Sequence, residues 1–135
     1  MKANDMTTGS LKTGFKALLA KANAEIESIS VQDFAYVEDE PDTVIVDVRD
    51  AVERDTEGAI PGSLHASRGM LEFHADPSSP AHIGAFQIDR KIILYCGTGG
   101  RSALAAKTLQ DMGFKDVLTL AGGFAAWQVA NDKQD

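Results

Sequence analysis

The chain has a single cysteine among its 135 residues, and its neighbours give that sulfur a chemistry. Cys96 follows the apolar run Lys91-Ile92-Ile93-Leu94-Tyr95. It is followed by Gly97-Thr98-Gly99-Gly100-Arg101-Ser102, after which an alanine-rich helical pattern begins. Strand, glycines and helix in that order build an anion-sized cup at a helix N-terminus. Gly97, Gly99 and Gly100 admit backbone angles that turn N–H groups inward. A thiol at the lip of such a cup has its thiolate stabilised by the loop amides, the helix dipole and Arg101. On its own, a lone cysteine is more often a small buried hydrophobe. The Cys-Gly-x-Gly-Gly-Arg-Ser arrangement between strand and helix points instead to an exposed, charged nucleophile serving an anionic substrate.

A second candidate stands at the end of another strand. Thr43-Val44-Ile45-Val46-Asp47-Val48 is β-branched and nearly continuous, as a buried parallel strand is. Asp47 is unexpected there, because a buried carboxylate needs donors, and loop N–H groups are the expected ones. Arg49 follows at the mouth of the sheet. Ligands of open α/β sheets gather beyond the carboxyl ends of strands, which gives Arg49 a claim to the same mouth as Cys96. A structural pair with Glu53, four residues on at helical spacing, is an equal reading. The three histidines, His65, His74 and His82, show no ligand-like spacing, so no metal site is expected. No cofactor is implied either. Whether one histidine serves Cys96 as a base stays open.

The positioning elements follow the same alternation. Ser10 is the expected cap of an N-terminal amphipathic helix carrying Leu11, Phe15, Leu18, Leu19, Ala22 and Ile26, after a frayed polar lead. Ile29-Ser30-Val31 reads as a short strand leading into a small helix. Asp50 caps a helix to Glu57, with acids in its first turn. Gly58-Ala59-Ile60-Pro61-Gly62-Ser63 is a turn, and Leu64-His65-Ala66 a very short strand. Helical turns are expected over Arg68–His74 and again over Ala81–Ile88. Arg101–Met112 is the best helix, stopped by Gly113. Asp116–Leu120 is the last strand. Ala121-Gly122-Gly123-Phe124 then turns into a closing helix with Trp127 as a core plug.

Length allows one domain with a short extension, taken as 1–27 with its helix, ahead of a domain at 28–131. Net charge is −7, which disfavours nucleic acid as a partner. The first 24 residues carry four Lys against one Asp, residues 25–90 fifteen acids against four Arg, and the remainder is nearly balanced. An anionic substrate therefore needs local attraction. No apolar run approaches a bilayer span and no secretory segment opens the chain, so a cytoplasmic protein without membrane contact is expected.

With these motifs placed, the chain resembles the rhodanese-like family of single-domain sulfurtransferases. Val46-Asp47-Val48-Arg49, Gly58–Ser63, the loop Cys96–Ser102, and Ala121–Phe124 with Trp127 carry the resemblance in order. It implies an α/β fold, a central, mostly parallel five-stranded sheet with helices on both faces. It implies transfer of sulfane sulfur from a small anionic donor such as thiosulfate, through a Cys96 persulfide, to a thiophilic acceptor: cyanide, a small thiol or a protein thiol. Cys96 is then the nucleophile, with Arg101 at the common cationic position of the loop. Arg49 and the N–H groups of Gly97, Thr98, Gly99, Gly100 and Ser102 hold substrate. A Cys-x4-Arg loop is one residue shorter than the Cys-x5-Arg loop of phosphatase and arsenate-reductase relatives. A binding or regulatory module with little turnover is the alternative. Ala59 stands where the family often has His, and Thr98 where some members carry a cation.

Overall fold

The structure, a computed structural model, describes residues 11–132, so Ser10 and the polar lead lie outside the described residues. Helix α1 (Phe15–Glu25), with Gly14 at its cap position, starts later than expected and leaves Leu11 ahead of it; β1 (Glu27–Ile29) and α2 (Val31–Val37) follow. Then come β2 (Thr43–Asp47), α3 (Ala51–Glu57), β3 (Leu64–His65), a short 3-10 turn at Arg68–Met70 and α4 (Leu71–Ala75). β4 (Lys91–Tyr95), α5 (Gly100–Met112), β5 (Asp116–Leu120) and α6 (Gly123–Asp132) complete the chain. The five strands form one sheet in the order β1-β5-β4-β2-β3, every pairing parallel.

β4 is the central strand, and its side chains alternate between two cores as strand geometry requires. Ile92, Leu94 and Cys96 join Ala105, Ala106 and Leu109 of α5 on one face. Ile93 and Tyr95 join Phe34 of α2 and Phe124 of α6 on the other. Trp127 packs against this second core, its ring stacked on Phe124 at 5.6 Å. Because all strands run the same way, their carboxyl ends open on one edge. There β4 delivers Cys96, β2 delivers Val48 and Arg49, and β5 delivers the glycines that open α6.

Local chemistry sets the element ends. Ser30 Oγ accepts the Asp33 N–H at 3.0 Å and starts α2, so Val31 belongs to that helix and β1 ends at Ile29. Glu53 Oε1 accepts the Asp50 N–H at 3.2 Å in the first turn of α3. Gly113, at φ 109°, takes the left-handed conformation that ends α5. The helix expected over Ala81–Ile88 is absent. The Ile83 N–H turns to the His74 carbonyl at 2.8 Å, and Phe86 is drawn into the core edge-on to Phe114. Only isolated turns are left.

The main correction concerns Asp47 and Arg49, both without solvent exposure. Arg49 stands two residues after Asp47, on the same side of an extended chain. Its Nε donates to Asp47 Oδ1 at 3.0 Å and its Nη2 to Oδ2 at 2.9 Å, while its N–H also reaches Oδ1. Arg54 Nη1 and the Tyr95 hydroxyl complete the carboxylate's shell at 3.0 and 3.1 Å. The guanidinium lies 4.3 Å from the Phe124 ring centre and donates to the Gly58 carbonyl. Arg49 therefore pairs with the buried carboxylate from inside the fold rather than with Glu53, while its Nη1 has no hydrogen-bond partner among the described residues. Burial alone pushes the Asp47 pKa up, but the bonds from Arg49 and Arg54 hold it below the ordinary carboxylate value.

Removing one partner strands the other charge. Arg49→Met is expected to cost about 3–5 kcal/mol, read as a fall in the urea midpoint. Asp47→Leu combined with Arg49→Met should recover much of that loss.

Candidate active site

The sheet edge makes the site. β4 ends at Tyr95, and the next peptide groups are turned by α6. Phe124 N–H donates to the Cys96 carbonyl at 2.8 Å, and Ala125 N–H to the Gly97 carbonyl at 3.1 Å. Those two carbonyls are thereby committed to the amides that open α6, leaving the sulfur side of the loop to donors. The close approach needs Gly123, at φ 62°. A Cβ there would lie 2.6 Å from the Cys96 carbonyl oxygen and 2.7 Å from that of Gly97. The run of glycines before Phe124 signals tight packing in the sequence. Its target, the active loop itself, becomes visible only in three dimensions.

Around Cys96 the loop closes on its own sulfur. Gly99 N–H donates to Sγ at 3.1 Å and Ser102 N–H at 3.4 Å. Ser102 Oγ lies 3.5 Å from Sγ and itself donates to the Gly99 carbonyl at 3.2 Å. The thiol donates to that hydroxyl; when the sulfur is ionised, the hydroxyl proton can turn to it from the Gly99 carbonyl. Burial pushes the Cys96 pKa up, but hydrogen bonds from the Ser102 hydroxyl and the Ser102, Gly99 and Thr98 amides outweigh it. The net shift is downward.

Two expectations for the loop are refined. Cys96 is fully buried rather than exposed, the floor of a cup whose rim must move before Sγ is reached. Only Gly99 of the three loop glycines takes a positive φ, 133°, at the cap of α5. It is also the one whose amide meets the sulfur. Gly97 has the Arg101 Nη2 3.5 Å from where a Cβ would stand, and a Cβ at Gly100 would lie 4.0 Å from the Leu19 side chain of α1. Those two glycines thus give room to the rim.

Arg101 leans over the cup but is held from outside. Its Nη1 and Nη2 donate to the two carboxylate oxygens of Glu53 at 2.6 and 2.9 Å. The planar fork matches the carboxylate, so the guanidinium is fixed in direction and largely neutralised. Bonds from Arg101 draw the Glu53 pKa down to about 2. Glu53 is a site residue that its sequence position linked to the wrong arginine; both stand at one strand-edge mouth, and only the fold selects Arg101. Among the described residues no histidine hydrogen-bonds the sulfur. His65 Nε2 bonds the Arg49 carbonyl at 2.7 Å, His74 Nδ1 the Ala81 carbonyl at 3.0 Å and His82 Nδ1 the His74 carbonyl at 3.1 Å. Among the described residues no cluster of His, Cys, Asp and Glu could hold a metal ion. Nor is any helix there long and apolar enough to cross a membrane.

The Glu53–Arg101 pair has a defined pH signature. A carboxylate whose folded pKa lies below its ordinary value of 4.5 stabilises the fold above that value. The stability advantage of the wild type over Glu53→Gln should therefore hold steady above about pH 5 and fade as pH falls toward 2. Urea midpoints across that range read it.

Comparison with known proteins places this geometry. A family model described as Rhodanese-like domain matches residues 30–130. The thiosulfate sulfurtransferase GlpE of Shewanella oneidensis is 32% identical over 109 residues, covering 80% of this chain and 98% of that protein. A tRNA sulfurtransferase of Desulfurococcus amylolyticus is 36% identical over 92 residues, 68% of this chain but only 16% of that much longer protein. A solved protein of Rhodopseudomonas palustris, described as of unknown function and a possible tyrosine phosphatase, is 46% identical with a TM-score of 0.86. The match covers 94% of this chain and 97% of that one. With a matching family model across most of its length, and the motif loop folded around the cysteine, the chain belongs to the rhodanese-like domain family.

Proposed function

We propose that the protein is a sulfurtransferase that carries sulfane sulfur on Cys96. The observation that carries this reading is the pair of amides, Gly99 and Ser102, converging on one sulfur whose pKa they help to lower. With thiosulfate, the Cys96 thiolate attacks the outer sulfur, the sulfur–sulfur bond to the sulfite group breaks, and sulfite leaves with the electron pair. A persulfide anion stands on Cys96. An acceptor then attacks the outer sulfur and the thiolate leaves as it arrived, cyanide giving thiocyanate and a thiol giving a new persulfide. The loop amides favour the anionic forms at each stage, and Arg101, held by Glu53, stands at the rim. The relatives named as sulfurtransferases support this chemistry. The relative described as a possible tyrosine phosphatase raises a second reading, transfer of a phosphoryl group to the same sulfur. Against it stands the loop, where only four residues separate Cys96 from Arg101.

Two measurements test the reading. Intact mass after thiosulfate exposure should rise by about 32 Da, one sulfur atom on the Cys96 nucleophile, and Cys96→Ser should show no gain. Turnover of an aryl phosphate without that gain would favour the phosphatase. Ser102→Ala removes a hydrogen bond to the ionised sulfur. Alkylation of Cys96 by iodoacetamide at pH 7 should slow by about tenfold, with the midpoint of the rate–pH profile moving up toward that of an ordinary thiol.

A further inference from the structure

Helix α1 lies outside residues 30–130 matched by the family model, yet it packs along α5, the helix that the active loop opens. A Cβ added at Gly100, the first residue of α5, would lie 4.0 Å from the Leu19 side chain, and Glu25 pairs with Lys107 farther along α5 at 2.8 Å. The two helices therefore run side by side in the same direction, both starting at the cup. Residues ahead of Leu19 overshoot the start of α5. Phe15 stands one helical turn, about 6 Å, beyond Leu19 toward the cup side. Here α1 stops packing. Ala22 is buried, whereas Phe15 is 69% exposed and Leu18 47%, and Leu11, ahead of the helix, is 73% exposed. Lys12 and Lys16 are exposed beside them, and no carboxylate occurs between Met6 and Ala24.

We propose that this overhang is a docking surface for an acidic amphipathic segment of a thiol-bearing protein, the sulfur acceptor. The inference rests on the sulfurtransferase reading for its role, but the surface is independent of it. A convex helix offers no cavity for a small ligand, whereas exposed apolar residues on one turn are what a partner helix or groove grips. The flanking lysines select carboxylates around that grip. They also oppose pairing of two α1 helices about a two-fold axis, since such pairing sets lysines against lysines. Residues 25–90, with fifteen acids against four bases, repel the same partner elsewhere and so steer it to α1 beside the cup.

The test uses the full chain and two fluorescent peptides of equal length, one leucine–glutamate amphipathic and one leucine–lysine, each with serine at its centre. Anisotropy should show the wild type binding the acidic peptide at least fivefold tighter than the basic one. Phe15→Ser with Leu18→Ser, and separately Lys12→Glu with Lys16→Glu, should each erase most of that difference. The serines are then replaced by cysteine, and transfer from protein loaded with thiosulfate is followed by mass. Both variants should lose at least fivefold in rate toward the acidic peptide and keep the wild-type rate toward cyanide. Equal binding of the two peptides, or variants that bind like wild type, would overturn the proposal. So would self-association in sedimentation that the Phe15/Leu18 variant abolishes, or binding to phosphatidylglycerol vesicles in preference to the acidic peptide. A wild type that binds the acidic peptide but gains no sulfur from thiosulfate overturns the acceptor role and the sulfurtransferase reading, and leaves the docking surface standing.

Discussion

A carboxylate without access to water sits at the tip of β2, and the neighbouring loops are arranged to satisfy it. Asp47 takes both arms of Arg49, one of Arg54 and the Tyr95 hydroxyl. Arg49 in turn reaches the Gly58 carbonyl, Arg54 reaches Ser63, and Tyr95 accepts from the Ile60 N–H. One buried charge thus ties α3, the turn from Gly58 to Ser63 and the end of β4 into a single network. Apolar substitutes of similar size could fill the volume, and buried ion pairs often add little to stability. What this one adds is direction. Tyr95 immediately precedes Cys96, so the residue that starts the active loop is held on both sides of its hydroxyl.

The cup itself is a contest between burial and hydrogen bonding. A sulfur with no exposed surface is a poor place for negative charge, and desolvation is the largest influence on Cys96. Short bonds from fixed amides reverse the sign because the protein has already oriented them. Arg101 adds a cation at the rim, while Glu53 holds it in place and offsets its charge. The result is a floor that favours anions beneath a nearly neutral rim.

The parts of this arrangement legible in the sequence are those that act locally. The strand–glycine–helix order located the cup, β-branched runs marked β2 and β4, and Gly113 marked the end of α5. Interactions across the chain were not legible. Arg49 faced two candidate roles at the sheet mouth, and neither considered the carboxylate two residues before it as its main partner. Glu53 pairs with an arginine 48 residues away. Phe86 left the helical pattern because a core position opposite Phe114 outweighed local propensity, which is a weak preference in such short segments. The burial of Cys96 depends on α5, the sheet and the loop meeting at once, and no periodicity encodes that.

The bonds from Phe124 and Ala125 to the loop carbonyls carry a consequence for biogenesis. A chain made from its N-terminus has synthesised Cys96 long before residues 123–125 exist. Until those residues emerge and dock, the two loop carbonyls lack the amides that they accept from in the folded protein. The ordered cup therefore depends on a helix that is made after the loop it shapes.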